Sequence, residues 1–222
     1  MQKQTVGVLG LGIFGQTIAI ELSKYGCDVI AIDGNEKNVD KVSDVVTSAS
    51  IGDFTDMGLL SSVGLANCDI VVVGTGTNLE SAVLAVMHAK RLGVKQIIAK
   101  ARNLTFEEVL YEVGVDAVVA PERDSGLRLA SKILRNHIDE VLRLDDETSI
   151  IEFETPARWI GKTLGEWDVR RQYDLNLLGM PEERGEKLIP IGVDKPLESD
   201  VVLVAMASSH AFERFDYLGH LN

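Results

Sequence analysis

The amino-acid sequence predicts an α/β protein: a doubly wound parallel sheet followed by a small α+β domain. Three observations predict it. Apolar, β-branched runs alternate with helical patterns over residues 5–119, as in a parallel sheet covered on both faces. The first of these runs feeds a glycine turn, Gly10-Leu11-Gly12-Ile13-Phe14-Gly15, which opens a helical pattern. After residue 137 the alternation stops, and half-buried strand patterns with short helices take over.

The strand-like runs are residues 5–9, 28–32, 45–49, 70–73, 96–99 and 117–119. Helical patterns lie between them at 14–25, 36–42, 57–63, 79–92 and 106–113. Right-handed crossovers then give the strand order 3-2-1-4-5-6, a Rossmann-like sheet. Gly64, Gly93 and Gly114 each close a helical pattern just before a strand, where glycine accepts the left-handed conformation that ends a helix. Pro121-Glu122 ends the sixth strand, and a helix is expected over 124–137. Its Leu127, Ala130, Ile133 and Leu134 recur at helical spacing. That apolar stripe needs cover, from its own domain or from a second copy, so a homodimer through this helix is expected. Further on, 149–153 alternates as a strand and 163–167 reads as a helix. A run at 176–180, a polar turn at 182–186, strands at 187–191 and 201–206 and a helix at 210–215 complete the pattern. The expected domains are 1–122, a crossover helix at 123–138, and 139–222.

Composition narrows the function. Of 222 residues, 34 are acidic and 22 basic, a net charge of -12. Nucleic-acid binding rests on neutralising phosphates, so this acidic chain without a basic cluster is expected to bind no nucleic acid. Anionic lipid is disfavoured for the same reason. No apolar run approaches the roughly 20 residues of a membrane span, and the chain enters its first strand too early for a signal peptide. Cys27 and Cys68 form no metal-binding spacing, and a cytoplasmic setting is expected.

The glycine turn carries the chemistry. Gly10 allows the tight turn, Gly12 lets backbone approach phosphates, and Gly15 lets the helix pack on the sheet. The helix N-terminus, with Ile13 and Phe14 in its first turn, adds free N–H groups and partial positive charge. Asp33, followed by Gly34 and Asn35, closes the second strand and is placed to accept ribose hydroxyls; its charge would repel a 2′-phosphate. Three further segments follow strands at the ligand crevice. In Gly52-Asp53-Phe54-Thr55, Asp53 is placed for an adenine amino group and Phe54 for the ring; Asp53 or Thr55 as a helix N-cap is the alternative. Gly74-Thr75-Gly76-Thr77 follows strand four, and Lys100-Ala101-Arg102 follows strand five with two cations for phosphate. Glu122 is a candidate ligand for a divalent cation such as Mg or Ca beside bound phosphates, or a contact across a dimer interface.

These residues resemble a family. The order Gly10-Leu11-Gly12-x-Phe14-Gly15, Asp33-x-Asn35, Gly52-Asp53-x-Thr55, Lys100-Ala101 and Pro121-Glu122-x-Asp124-x-Gly126 is similar to the cytoplasmic RCK regulators of bacterial Trk and Ktr potassium transporters. The stretch Asp168-Val169-Arg170-Arg171-Gln172-Tyr173-x-Leu175-Asn176, with Asp200–Val204 after it, looks like the C-terminal RCK domain. The resemblance implies ATP or ADP, or NAD or NADH, held by Gly10, Gly12, Gly15, Asp33 and Asn35, with Asp53 and Phe54 at the adenine. Thr75, Gly76, Thr77, Lys100, Ala101 and Arg102 would close the pocket, and Glu122 would sit at the subunit contact. It further implies dimers assembled into an octameric ring against a membrane potassium transporter, whose inner face the chain would reach through that partner. ATP-responsive Ktr members commonly carry arginine inside the glycine motif. This chain has Ile13, which cannot neutralise a terminal phosphate. Several Gram-positive members bind cyclic di-AMP in the C-terminal domain. The matching positions here are Arg170 and Asn176 for phosphate or base, with Leu164, Leu175 and Leu177 as apolar walls.

Two other functions stay open at this stage. An NAD-dependent oxidoreductase needs a placed proton donor or acceptor. His88, His137, His210 and His220 fall mostly in or beside helical patterns and none at a strand end facing the crevice, which leaves Lys100 and Tyr111, neither with an evident partner. A nucleotide or cyclic di-AMP sensor with a different partner is the other reading, since a site does not name its partner.

Overall fold

A computed structural model describes residues 3–134, 138–145, 147–181, 187–192, 194–199 and 201–208. The chain divides into two compact units, Met1–Asp124 and Ser125–Asn222.

The first unit is a six-stranded parallel sheet. Its strands are β1 (Thr5–Leu9), β2 (Asp28–Asp33), β3 (Ser48–Ile51), β4 (Ile70–Val73), β5 (Gln96–Lys100) and β6 (Ala117–Val119), in the order β3-β2-β1-β4-β5-β6. This is the order expected from right-handed crossovers. Between them run α1 (Ile13–Lys24), α2 (Glu36–Ser43), α3 (Met57–Ser62), α4 (Leu79–Arg91) and α5 (Leu104–Val113). Strand residues alternate between two faces. Val6, Val8, Val29, Ala31 and Val72 bury into one core with Ala19 of α1 and Val39 and Val42 of α2. Leu9, Ile32, Val71, Val73 and Ile97 bury into the other with Leu60, Ala85, Val86 and Leu110 from α3, α4 and α5. Helices therefore cover both faces, which is why these strands are apolar on both sides.

Two elements start three residues away from the sequence reading. The third strand starts at Ser48, not at Val45. The amides of Val45 and Val46 bond to the Val42 carbonyl at 2.9 and 3.0 Å, completing the end of α2. Thr47 then sets the register, its hydroxyl accepting the Val29 amide at 3.1 Å and donating to Asp28 at 3.0 Å. The helix after β6, α6 (Pro121–Leu134), starts three residues earlier than expected, with proline at its first position, where a missing N–H costs nothing. Residues 135–137, the expected end of that helix, lie outside the described residues.

The second unit carries an antiparallel sheet in the order β10-β9-β11-β8-β7. Its strands are β7 (Ile138–Arg143), β8 (Thr148–Glu154), β9 (Leu175–Pro181), β10 (Leu188–Ile189) and β11 (Val202–Ser208). Two short helices, α7 (Leu164–Trp167) and α8 (Val169–Tyr173), lie between β8 and β9. The sequence pattern did not single out β7 or α8. Thr163 and Glu166 form a reciprocal capping box at α7. Trp159, fully buried, is the hub of this core: Phe153 meets it edge-on at 6.0 Å, and Trp167 and Tyr173 pack at 6.0 and 5.3 Å. The expected turn at 182–186 and helix at 210–215 lie outside the described residues.

Candidate functional site

The carboxyl ends of β1 and β4 meet where the chain leaves the sheet toward opposite faces, the switch point at which such sheets take ligands. The glycine turn sits there. Gly10 holds φ +92, a left-handed value, and its amide bonds to the Ile32 carbonyl at 2.8 Å. Gly15 is dictated by close approach: a β-carbon on it would lie 2.0 Å from the Gly10 carbonyl oxygen. A β-carbon on Gly74, after β4, would lie 2.8 Å from that same oxygen.

Gly12 is different. A β-carbon there would meet nothing within 4 Å, and its φ of -63 suits any residue. The protein's own packing therefore does not demand glycine at this position. The backbone is left bare beside the first turn of α1. That helix has no side-chain cap and no acid in its first turn. By contrast α2, α3, α4 and α5 are capped by Asn35, Asp56, Asn78 and Asn103. Uncapped N–H groups with the dipole behind them suit an anion, so the residues present fit a nucleotide's phosphates. Ile13 is 87% exposed at the first helical position.

Asp33 ends β2 and works on the turn itself. Its Oδ2 accepts the Leu11 amide at 2.5 Å; its Oδ1 accepts the Asn35 amide at 2.8 Å and Asn38 Nδ2 at 3.3 Å. Gln16 Nε2 donates to the Leu11 carbonyl at 2.6 Å and to Asn38 at 3.4 Å. A carboxylate offers about four lone-pair positions, so three bonds leave Oδ2 one for a ribose hydroxyl. Gln16 and Asn38 were missed in the sequence. Their signal is polar spacing alone, one in the first turn after the glycines and one five residues past Asp33. Asn35 is occupied by its own backbone, its side-chain oxygen accepting the Lys37 amide at 3.1 Å.

The neighbouring loops place the remaining candidates. Neither Asp53 nor Thr55 caps α3; Asp56 does, accepting the Gly58 amide at 2.7 Å. Asp53 is exposed, and the hydroxyl and amide of Thr55, at 2.7 and 2.8 Å, hold its carboxyl below the usual range. Phe54 packs partly into the core. Ala101 is fully committed to that core, leaving only its backbone for a ligand, while Arg102 is exposed. Lys100 Nζ bonds to Glu122 Oε1 at 2.5 Å, and this bond draws the Glu122 carboxyl below its ordinary range. No group of three or more His, Cys, Asp and Glu that could hold a metal occurs among the described residues. Glu122 is a single carboxylate already facing an ammonium, so the protein's own residues do not fit a resident divalent cation.

In the second unit, Arg170 is exposed on α8, between Asp168 and Asp174, both left-handed at φ 40 and 53. Asn176 is half-buried in β9. Leu175 is buried in the core around Trp159, with Leu164 and Leu177 packed against it. Of the three expected apolar walls, Leu175 has no surface to give.

These features define a Rossmann-like α/β domain, with a crevice at its switch point, joined to a small antiparallel unit. Residues 6–121 match the TrkA-N domain, and the chain belongs to that family. The Ktr system potassium uptake protein C of Bacillus subtilis is 36% identical over 204 residues, 91% of each chain. The RCK domain of GsuK has the same fold, with a TM-score of 0.64 at 18% identity, covering 98% of this chain and 48% of that one. The GsuK channel bound to NAD gives the same TM-score and identity, covering 39% of its chain. Among the described residues no helix is long and apolar enough to cross a membrane.

Proposed function

We propose that this chain is a nucleotide-gated regulatory subunit that controls potassium uptake through a Trk/Ktr-type membrane transporter. The observation that carries the reading is the bare backbone at Gly12. It lies at an uncapped helix end whose turn is held by Asp33. An adenine nucleotide, ATP/ADP or NAD/NADH, would place its phosphates at Gly10–Gly15 and its ribose at Asp33. Asp53 and Thr75–Thr77 would border it, with Lys100 and Arg102 supplying charge. The nucleotide acts by binding two shapes of the assembly with different affinity; no chemical step is needed. The relative named as a potassium uptake protein supports regulation over hydride transfer, as does the commitment of the Lys100 ammonium to Glu122.

The exposed face of α6 supports the proposed homodimer, and the resemblance to ring-forming regulators supports the ring. Leu127, Leu129 and Ile133 are exposed along α6, and a second copy that covers this helix makes a homodimer, the unit of an octameric ring on the cytoplasmic side of the membrane. Arg170 and Asn176 are the groups proposed for cyclic di-AMP in the second unit. Thermal shifts with ATP, ADP, NAD, NADH and cyclic di-AMP test the reading. Stabilisation by at least one adenine nucleotide is expected, and Arg170→Ala should remove only the cyclic di-AMP response. No shift with any of the five would sink the proposal. Co-purification with a potassium transporter separates this role from a sensor with another partner.

A further inference from the structure

Lys100 is held on three sides. Its stem lies on Gly76, where a β-carbon would come within 3.2 Å of Cε. Its ammonium stands 5.7 Å from the centre of the Phe14 ring, in the first turn of α1, and bonds to Glu122 in the first turn of α6. The lysine side chain is only 14% exposed, whereas Glu122 is 65% exposed. One partner of this pair is fixed and the other is free to swing into water. Ile13 offers no charge at the open end of α1, so the cation that Phe14 brings to that end is the one Glu122 already occupies.

We infer that Glu122 is a built-in competitor for the phosphate: its carboxylate holds the Lys100 ammonium and is displaced when a nucleotide's phosphate takes that ammonium. This deepens the nucleotide reading above and rests on it. An ammonium has three donors and could in principle hold both anions. The two anions would then repel each other within a few ångströms, and the exposed carboxylate loses least by leaving for water. Binding thus exchanges one ion pair for another and delivers an unpaired carboxylate to the start of α6. Occupancy of the pocket is thereby written as charge onto the helix that leads out of the first unit.

The test is calorimetric binding of ADP and of uncharged adenosine, in EDTA, to the full chain and to Glu122→Gln, Lys100→Met and the double variant. Glu122→Gln should bind ADP tighter by a factor of about two to five and leave adenosine unchanged. Lys100→Met should weaken ADP, and adding Glu122→Gln to it should bring no gain. Weaker or equal ADP binding by Glu122→Gln overturns the exchange while leaving the nucleotide site standing. No binding to the parent or any variant overturns both.

Discussion

The Leu11 amide donates to Asp33 Oδ2 at 2.5 Å, tying the glycine turn after β1 to the end of β2. The same carboxylate is the proposed ribose acceptor, so one side chain both shapes the cradle and reads its ligand. Asp33→Ala should lose the nucleotide-induced thermal shift. It should also cost about 1.5–3 kcal/mol of stability, the usual worth of a bond to a charged acceptor. Denaturant midpoints with and without nucleotide check both, and an unchanged nucleotide shift would remove Asp33 from the site.

Two glycines of one motif should part company. At Gly15 a β-carbon would collide with backbone, 2.0 Å from the Gly10 carbonyl oxygen, and backbone cannot step aside as a flexible side chain can. Gly15→Ala should destabilise by several kcal/mol, about 3 or more, or prevent folding. At Gly12 the space is open. Gly12→Ala should cost at most about 1 kcal/mol, the difference between these residues at a helix N-cap. Its methyl group would nonetheless fill the phosphate cradle and abolish nucleotide binding. Circular dichroism melts beside a binding isotherm for each variant decide the matter.

Acid should loosen the first unit from its amino-terminal strand end. Asp69 accepts the Thr5 amide at 3.2 Å and Lys95 at 3.1 Å, and these bonds, the backbone one foremost, depress its folded-state pKa. A depressed carboxyl stabilises the fold above its unfolded pKa. That stability is lost as pH falls through the lower folded value. The loss therefore begins below about pH 4, the ordinary aspartate range. Asp69→Asn should flatten the stability profile below that pH. An unaltered acid slope would show that the bond contributes nothing.

The two cysteines should differ in reactivity. Cys68 is buried, and burial pushes its thiol up to about 11, with Asp69 nearby adding to the effect. Thiolate is the reactive form, so Cys68 should resist alkylation at neutral pH in the folded protein. Cys27 is half-buried. Mass spectrometry after brief iodoacetamide treatment should find a single label, on Cys27. Rapid double labelling would mean that the Cys68 environment opens readily.

Much of this molecule was legible before its structure. The alternation over residues 5–119 encodes the sheet because strands buried on both faces must be apolar throughout, a pattern that survives in one dimension. The sixfold parallel order follows from the handedness of crossovers. Legibility failed where one local pattern fits two roles, or where only pairing with another strand defines the element. Val45 and Val46 look like strand, yet they finish α2, because a β-branched pair reads the same in either role. The strand Ile138–Arg143 mixes charge with apolar residues and shows itself only through pairing with β8.

The sequence by itself determined the parallel sheet, the glycine turn at its first crossover and the family to which both belong, for these rest on local periodicity and on residues a few positions apart. Only the tertiary structure decided what each site residue is free to do. It assigned Asp33 to the Leu11 amide, Asn35 to its own helix, Leu175 and Ala101 to the cores, and Lys100 to Glu122, 22 positions away. A side chain's availability depends on which donors, acceptors and apolar surfaces the fold brings against it, and most of those neighbours are set by packing, not by spacing along the chain.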